Sequence, residues 1–222
     1  MSSGALIIAP RTHPVPRQVP ALLVSSWVAS RVARALADDG VAVTIAPPPA
    51  AVRGDWSPPG GSDIRGLAFF GHGSEFYIVG EDGQPLFDIG NCSSLAGGWF
   101  YAYACLAGCE FVHHVAPHSL VAAGYTVSLV VDLEPEQWSP SLVDAMVEFL
   151  ATVPRMLARA VGDDAEIRQQ VEKRAERVVA LLAEMEDPPS GVEIAVQQLS
   201  LRLVISRAFA VEIADGAMAH EE

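Results

Sequence analysis

His72 and Cys105 are the residues of this chain best suited to nucleophilic chemistry. Each closes a short apolar and aromatic run: Arg65-Gly-Leu-Ala-Phe-Phe-Gly-His72-Gly73 and Trp99-Phe-Tyr-Ala-Tyr-Ala-Cys105-Leu-Ala-Gly108. A free thiol is mostly protonated at neutral pH, and a nearby imidazole favours the reactive thiolate. Side chains at the carboxyl ends of neighbouring strands in an open α/β sheet meet in one crevice. The two are therefore expected to face each other although 32 residues lie between them. Gly73 has no Cβ, so its N–H can approach a substrate carbonyl closely. With the N–H of Cys105 it would form an oxyanion hole.

The surrounding elements must bring the two strand ends together. Ala5-Leu-Ile-Ile-Ala9 reads as a first strand, Pro20 to about Asp39 as a helix stopped by Gly40, and Val41–Ala46 as a second strand. This β-α-β order predicts a parallel sheet with a right-handed crossover. Pro47 to Ser62 is rich in Pro and Gly and reads as a loop. Phe76–Val79 and Pro85–Asp88 flank Glu81-Asp-Gly83, a hairpin signal. Asn91 to Gly98 has room for one helical turn. Phe111 to Ala123 reads as a helix and Tyr125 to Val131 as a buried strand. Ser139 and Pro140 open a helix that Pro154 is expected to break or kink. Asp163 and Glu166 have capping-box spacing before another helix, and Ser190 and Glu193 repeat it. Residues 192–215 are read as a buried helix, although Leu199, Leu201, Leu203 and Ile205 alternate as a strand would.

The 222 residues are 50% hydrophobic, enough for a sizeable core. They divide into a domain over 1–160 and a helical C-terminal extension over 161–222. There is no run of about 18 apolar residues and no basic segment before an apolar stretch at the N-terminus. Three cysteines, an odd number, argue against a disulfide framework. A cytoplasmic location without membrane contact is expected. Net charge is −13, and its distribution is uneven. Residues 71–150 carry ten Asp or Glu and no Lys or Arg. Direct nucleic-acid binding is disfavoured by that balance. Attraction of a basic substrate is favoured. The chain has no phosphate-binding glycine motif and no Gly-x-Ser-x-Gly elbow.

Gly71-His72-Gly73, then an aromatic-aliphatic strand ending Ala104-Cys105-Leu-Ala-Gly108, resembles the caspase-like (clan CD) cysteine peptidases. The match is closest to their CHAT and separase-like branch. Leu120-Val-Ala-Ala-Gly124-Tyr-Thr-Val-Ser-Leu-Val-Val-Asp132 resembles that branch's helix, strand and acidic turn. The resemblance spans roughly residues 4–152. It implies a three-layer α/β fold with a mostly parallel sheet between helices, and an endopeptidase acting on a protein substrate. Cys105 would be the nucleophile and His72 the proton carrier, oriented by a backbone carbonyl, with no metal or organic cofactor. Such peptidases often work in bacterial defence or signalling, and regulation here would come from a partner protein or from the C-terminal helices. Arg11 lies where caspases place an arginine that receives a P1 aspartate. Asp132 lies where the separase-like branch places an acidic turn associated with arginine recognition. The acidic balance favours a basic P1 residue, with Asp132 as pocket floor and Asp88 in reserve.

Two other readings compete. One is a catalytically silent module of the same fold that binds a partner protein. The other is a zinc-binding structural protein, built on the Cys/His-rich stretch of Cys105, Cys109, His113, His114 and His118. Cys92 reads as structural.

Overall fold

A computed structural model describes residues 4–11, 14, 19–46, 64–95, 98–128, 138–189 and 191–207. The segments 47–63, 129–137 and 208–222, with His13 and Ser190, lie outside the described residues, and with them the loop expected over 47–62 and the turn carrying Asp132. The chain runs β1 (Gly4–Ile8), α1 (Val19–Asp38), β2 (Ala42–Ile45), β3 (Ile64–Phe70), β4 (Tyr77–Val79), β5 (Pro85–Asp88), a 3₁₀ turn (Cys92–Leu95), β6 (Trp99–Tyr103), α2 (Phe111–Val115), β7 (Val121–Tyr125), α3 (Pro140–Arg159), α4 (Asp164–Ala183), α5 (Val192–Leu201) and β8 (Leu203–Arg207).

Six strands form one sheet in the order β2-β1-β3-β6-β7-β8. All neighbours are parallel except β7 and β8. Strands β4 and β5 form a separate antiparallel hairpin. The fold is mixed α/β, a mostly parallel sheet flanked by helices. The central strands are apolar throughout because both faces are covered. Their alternate residues feed two cores. Ile7, Ala68, Phe70, Tyr101, Tyr103 and Tyr125 pack with α1 and α3 to α5. Leu6, Ile8, Phe69, Phe100 and Ala102 pack with the hairpin and α2. The handedness of crossovers explains the division. From β1 the chain steps one way along the sheet to β2, and from β6 it steps the other way to β7. Right-handed connections in opposite directions place α1 and α2 on opposite faces.

Three expectations need correcting. Residues 111–123 do not form one helix: α2 ends at Val115, and Val121-Ala-Ala-Gly-Tyr125 is β7. Pro117 follows the short helix, and the alanines, good helix formers, pair instead between β6 and β8. The strand thus begins four residues before the one expected from Tyr125. Helix α3 runs through Pro154 to Arg159. Its apolar stripe of Leu150, Ala151, Val153, Pro154 and Leu157 is buried, and this outweighs the roughly 3 kcal/mol that an interior proline costs. The run 192–215 is helical only to Leu201. Leu203 and Ile205 then turn their alternation into β8, which covers the edge of β7. The cap Asp163 accepts from the Glu166 N–H at 2.8 Å as its spacing implied. For α5 the cap is Gly191, in the left-handed region.

Two consequences are measurable. A Cβ on Gly66 would lie 1.9 Å from Trp99 Cε2, because the indole crosses the glycine directly. Gly66→Ala is expected to destabilise the protein by roughly 2–3 kcal/mol, read from its urea midpoint. Tyr101, Tyr103 and Tyr125 are buried, and the Tyr101 and Tyr125 hydroxyls are 3.0 Å apart. Burial raises all three phenol pKa values, that of Tyr125 to about 12. The folded chain therefore holds protons that the unfolded chain releases above pH 10.0. Stability should be unaffected by these groups below that pH and fall as pH rises through about 12. Urea midpoints that stay level across this window would contradict the burial.

Candidate active site

Strands β3 and β6 are adjacent and parallel, with Phe70 opposite Tyr103. The ladder extends one step further, because the Gly71 N–H donates to the Tyr103 carbonyl at 3.1 Å. His72 and Cys105 each come two residues after that last pair. Both therefore lie just beyond the carboxyl ends of neighbouring strands, which in a sheet are spaced about 4.8 Å apart. Both are half-buried at the carboxyl edge.

The segment after His72 is held by the hairpin. The Val79 N–H donates to the His72 carbonyl at 2.9 Å, and the Ser74 N–H to the Tyr77 carbonyl at 2.8 Å. Gly73 sits between these bonds, opposite Ile78. That is the non-hydrogen-bonded position of an antiparallel pair, so the Gly73 N–H points away from β4. A Cβ on Gly73 would lie 2.9 Å from Ala104 Cβ and 3.1 Å from the Cys105 carbonyl oxygen. Only glycine lets the His72 loop press so closely on the cysteine.

Beyond Cys105 the chain turns sharply. Leu106 has φ +56°, in the left-handed region. Its N–H donates to the Val127 carbonyl at 3.0 Å, and the Cys109 N–H donates to the Leu106 carbonyl at 2.9 Å. A left-handed leucine costs about 1–2 kcal/mol. Such strain clusters at functional sites, where the surrounding structure imposes it. Here it ends β6 directly after the thiol. The sequence did not announce this turn, since Leu is not a residue that signals positive φ.

The remaining expected residues are placed as follows. Asp88 Oδ1 accepts from the N–H groups of Gly90 at 2.8 Å and Asn91 at 3.1 Å. Asn91 Oδ1 accepts from the Asp88 N–H at 2.7 Å, and its Nδ2 donates to the Leu86 carbonyl. The pair locks the turn after the hairpin, which gives Asn91 a structural role invisible in its spacing. Arg11 follows β1 and is exposed; its Nε donates to Ser26 Oγ of α1 at 3.0 Å. The Arg11 backbone N–H donates to Glu81 Oε1. Glu81, read from sequence only as part of a turn, is buried. Asp132 lies outside the described residues.

Among the described residues, no group of three or more His, Cys, Asp or Glu side chains is arranged to hold a metal ion. His113 Nδ1 instead lies 3.3 Å from Ser206 Oγ of β8. None of the three cysteines is in a disulfide. Cys92 is buried, and its Sγ donates to the Ile89 and His114 carbonyls. No described helix is long and apolar enough to cross a membrane. A pocket of about 280 Å³ opens at the amino edge of the sheet, lined by Arg65, Trp99, Leu120 and Arg207 among others, away from His72 and Cys105.

No family model matches the chain, and no curated protein matches it. Solved structures that resemble it include the crystal structure of the Arg-specific cysteine proteinase gingipain R, at 13% identity and a TM-score of 0.44. Another is the complex of the RgpB pro- and mature domains of Porphyromonas gingivalis, at 11% identity and a TM-score of 0.45. Each alignment covers 92% of this chain, and 46% and 47% respectively of the other. The chain thus spans about half the length of either.

Thiol chemistry distinguishes the two cysteines outside the strand end. Burial raises the pKa of Cys92, and burial followed by the charges of Glu75 and Glu110 raises that of Cys109 above 9.0. A raised pKa leaves less thiolate at neutral pH. Iodoacetamide should therefore spare Cys92 in the folded protein and modify Cys109 slowly at pH 7, faster as pH rises past 9.0. Mass mapping that finds Cys92 modified as fast as in unfolded protein would refute the placement.

Proposed function

We propose that this chain is a caspase-like cysteine endopeptidase with His72 and Cys105 as its catalytic dyad. The observation that supports the reading is the in-phase register of β3 and β6, with His72 and Cys105 each two residues beyond the Phe70–Tyr103 pair. The Cys105 thiol passes its proton to His72, and Sγ attacks the scissile carbonyl carbon. The N–H groups of Gly73 and Cys105 stabilise the oxyanion. His72 returns the proton to the departing amine, leaving a thioester. Water then attacks that acyl carbon with His72 as base, releasing the acid and restoring the thiol.

The proposed substrate is a protein cleaved after a basic residue. Ten acidic and no basic side chains occur between residues 71 and 150, the segment holding both catalytic candidates. A P1 carboxylate entering that field meets like charge, and a P1 cation meets favourable potential. Asp88 is bound into its own turn, which weakens it as the floor of the pocket. A place in a bacterial defence or signalling system, with a partner protein controlling access, extends the same proposal.

The test is a peptide-library cleavage profile of the wild type beside Cys105→Ala and His72→Ala. Each substitution should lower kcat/KM by at least about 1,000-fold while leaving the thermal melt unchanged. Cleavage surviving in Cys105→Ala would refute the dyad. Alkylation of Cys105 that ignores His72, with no cleavage by the wild type, would mark a silent binding module. Robust cleavage after Asp, dependent on Arg11, would overturn the basic P1 assignment.

A further inference from the structure

The connections leaving β1 and β3 go to opposite faces of the sheet. Helix α1 follows β1 on one face, and the β4–β5 hairpin follows β3 on the other. A crevice therefore opens outside the carboxyl ends of β1 and β3, the position where open α/β sheets take their ligands. Ile8 pairs with Phe69, and Arg11 and His72 each come three residues further on, beyond the strand ends on its two sides. The hairpin tip reaches into this crevice and brings Glu81 to the Arg11 backbone.

Glu81 is unusual among the carboxylates of the chain. It is only 8% exposed, and it is the one buried Asp or Glu among the described residues. Its hydrogen bond to a described residue comes from the Arg11 N–H at 3.3 Å, long for a bond to a carboxylate. The Arg11 side chain gives its Nε to Ser26. A carboxylate taken out of water is costly unless a cation meets it. The segment carrying its partner Arg11 leaves β1, one strand over from β3 and two from β6 in a sheet whose strands lie about 4.8 Å apart. A long basic side chain of a peptide bound at Cys105 can cross that interval.

We propose that Glu81 is the specificity-determining carboxylate of the site, receiving the charged end of an arginine or lysine side chain at P1. The inference rests on the peptidase reading and supplies the side chain that reads its substrate. The cation enters the β1–β3 crevice, displaces water from Glu81, and places the following peptide bond over Cys105. The hairpin contributes at both ends, since Val79 holds the His72 carbonyl and Glu81 holds the substrate charge.

Glu81→Gln tests this with little disturbance, because the amide oxygen still accepts from the Arg11 N–H. Two peptides are compared that differ only at P1, arginine against its neutral isostere citrulline. Glu81→Gln should lower the arginine-to-citrulline ratio of kcat/KM on the order of 100-fold, with an unchanged thermal melt. Asp132→Asn should leave that ratio near the wild-type value. A ratio unchanged in Glu81→Gln, or one that collapses only in Asp132→Asn, overturns the assignment. A second measurement does not depend on turnover: arginine amide, followed by calorimetry, should bind wild type and not Glu81→Gln. Glu81-dependent binding without any peptide cleavage would keep the cation site and remove the peptidase. Equal binding by both proteins, or none by the wild type, would remove the cation site whatever the cleavage result.

Discussion

The pairing of β3 with β6 is the constraint on which the rest depends. Residues far apart in sequence share one register only because parallel hydrogen bonds fix the strands in phase. The packing around this pair leaves no room for slippage. Trp99 lies across Gly66, and the Arg65 carbonyl would lie 1.7 Å from any Cβ on Gly98. Such close contacts, made where side chains are absent, tie β3 to β6 at their amino ends. At the carboxyl ends, Gly71 continues the ladder and Gly73 presses against Cys105. A shift of one residue would exchange the faces of both strands and bury the wrong set of aromatics.

The two cores divide the labour. On the face toward α1 and α3, Tyr101, Tyr103 and Tyr125 cluster with Phe70 in edge-on and tilted contacts. These rings form a rigid floor beneath the carboxyl edge, and the hydroxyl pair of Tyr101 and Tyr125 satisfies two polar groups that water does not reach. On the opposite face, the hairpin and the 3₁₀ turn cover the sheet with short elements held by side-chain caps. Arg155 bridges Asp39 and Glu148, and Arg159 also meets Asp39, fastening α1 to α3. The charged network holds the helices together.

How the chain was legible depends on how local each signal was. The parallel α/β class, the ends of α1, the Asp163 cap, the hairpin and the strands ending near His72 and Cys105 follow from periodicity, glycine and capping chemistry within a few residues. The pairing of His72 with Cys105 is an inference from the order of elements and a family resemblance. What only the tertiary structure decided were non-local matters. Val121-Ala-Ala-Gly-Tyr125 is a strand because β6 and β8 offer hydrogen bonds on both sides, against the helical preference of its alanines. Helix α3 passes Pro154 because its buried face outweighs one missing hydrogen bond. Leu203 and Ile205 pair because β7 would otherwise expose an edge. Glu81 and Asn91 gained their places from partners that the fold brings to them, 70 residues away for Glu81 and in the neighbouring turn for Asn91. A sequence shows which side chains are able to react and which segments favour helix or strand. Burial, register and long-range hydrogen bonds arise only when distant segments share space, and those decide which residues meet.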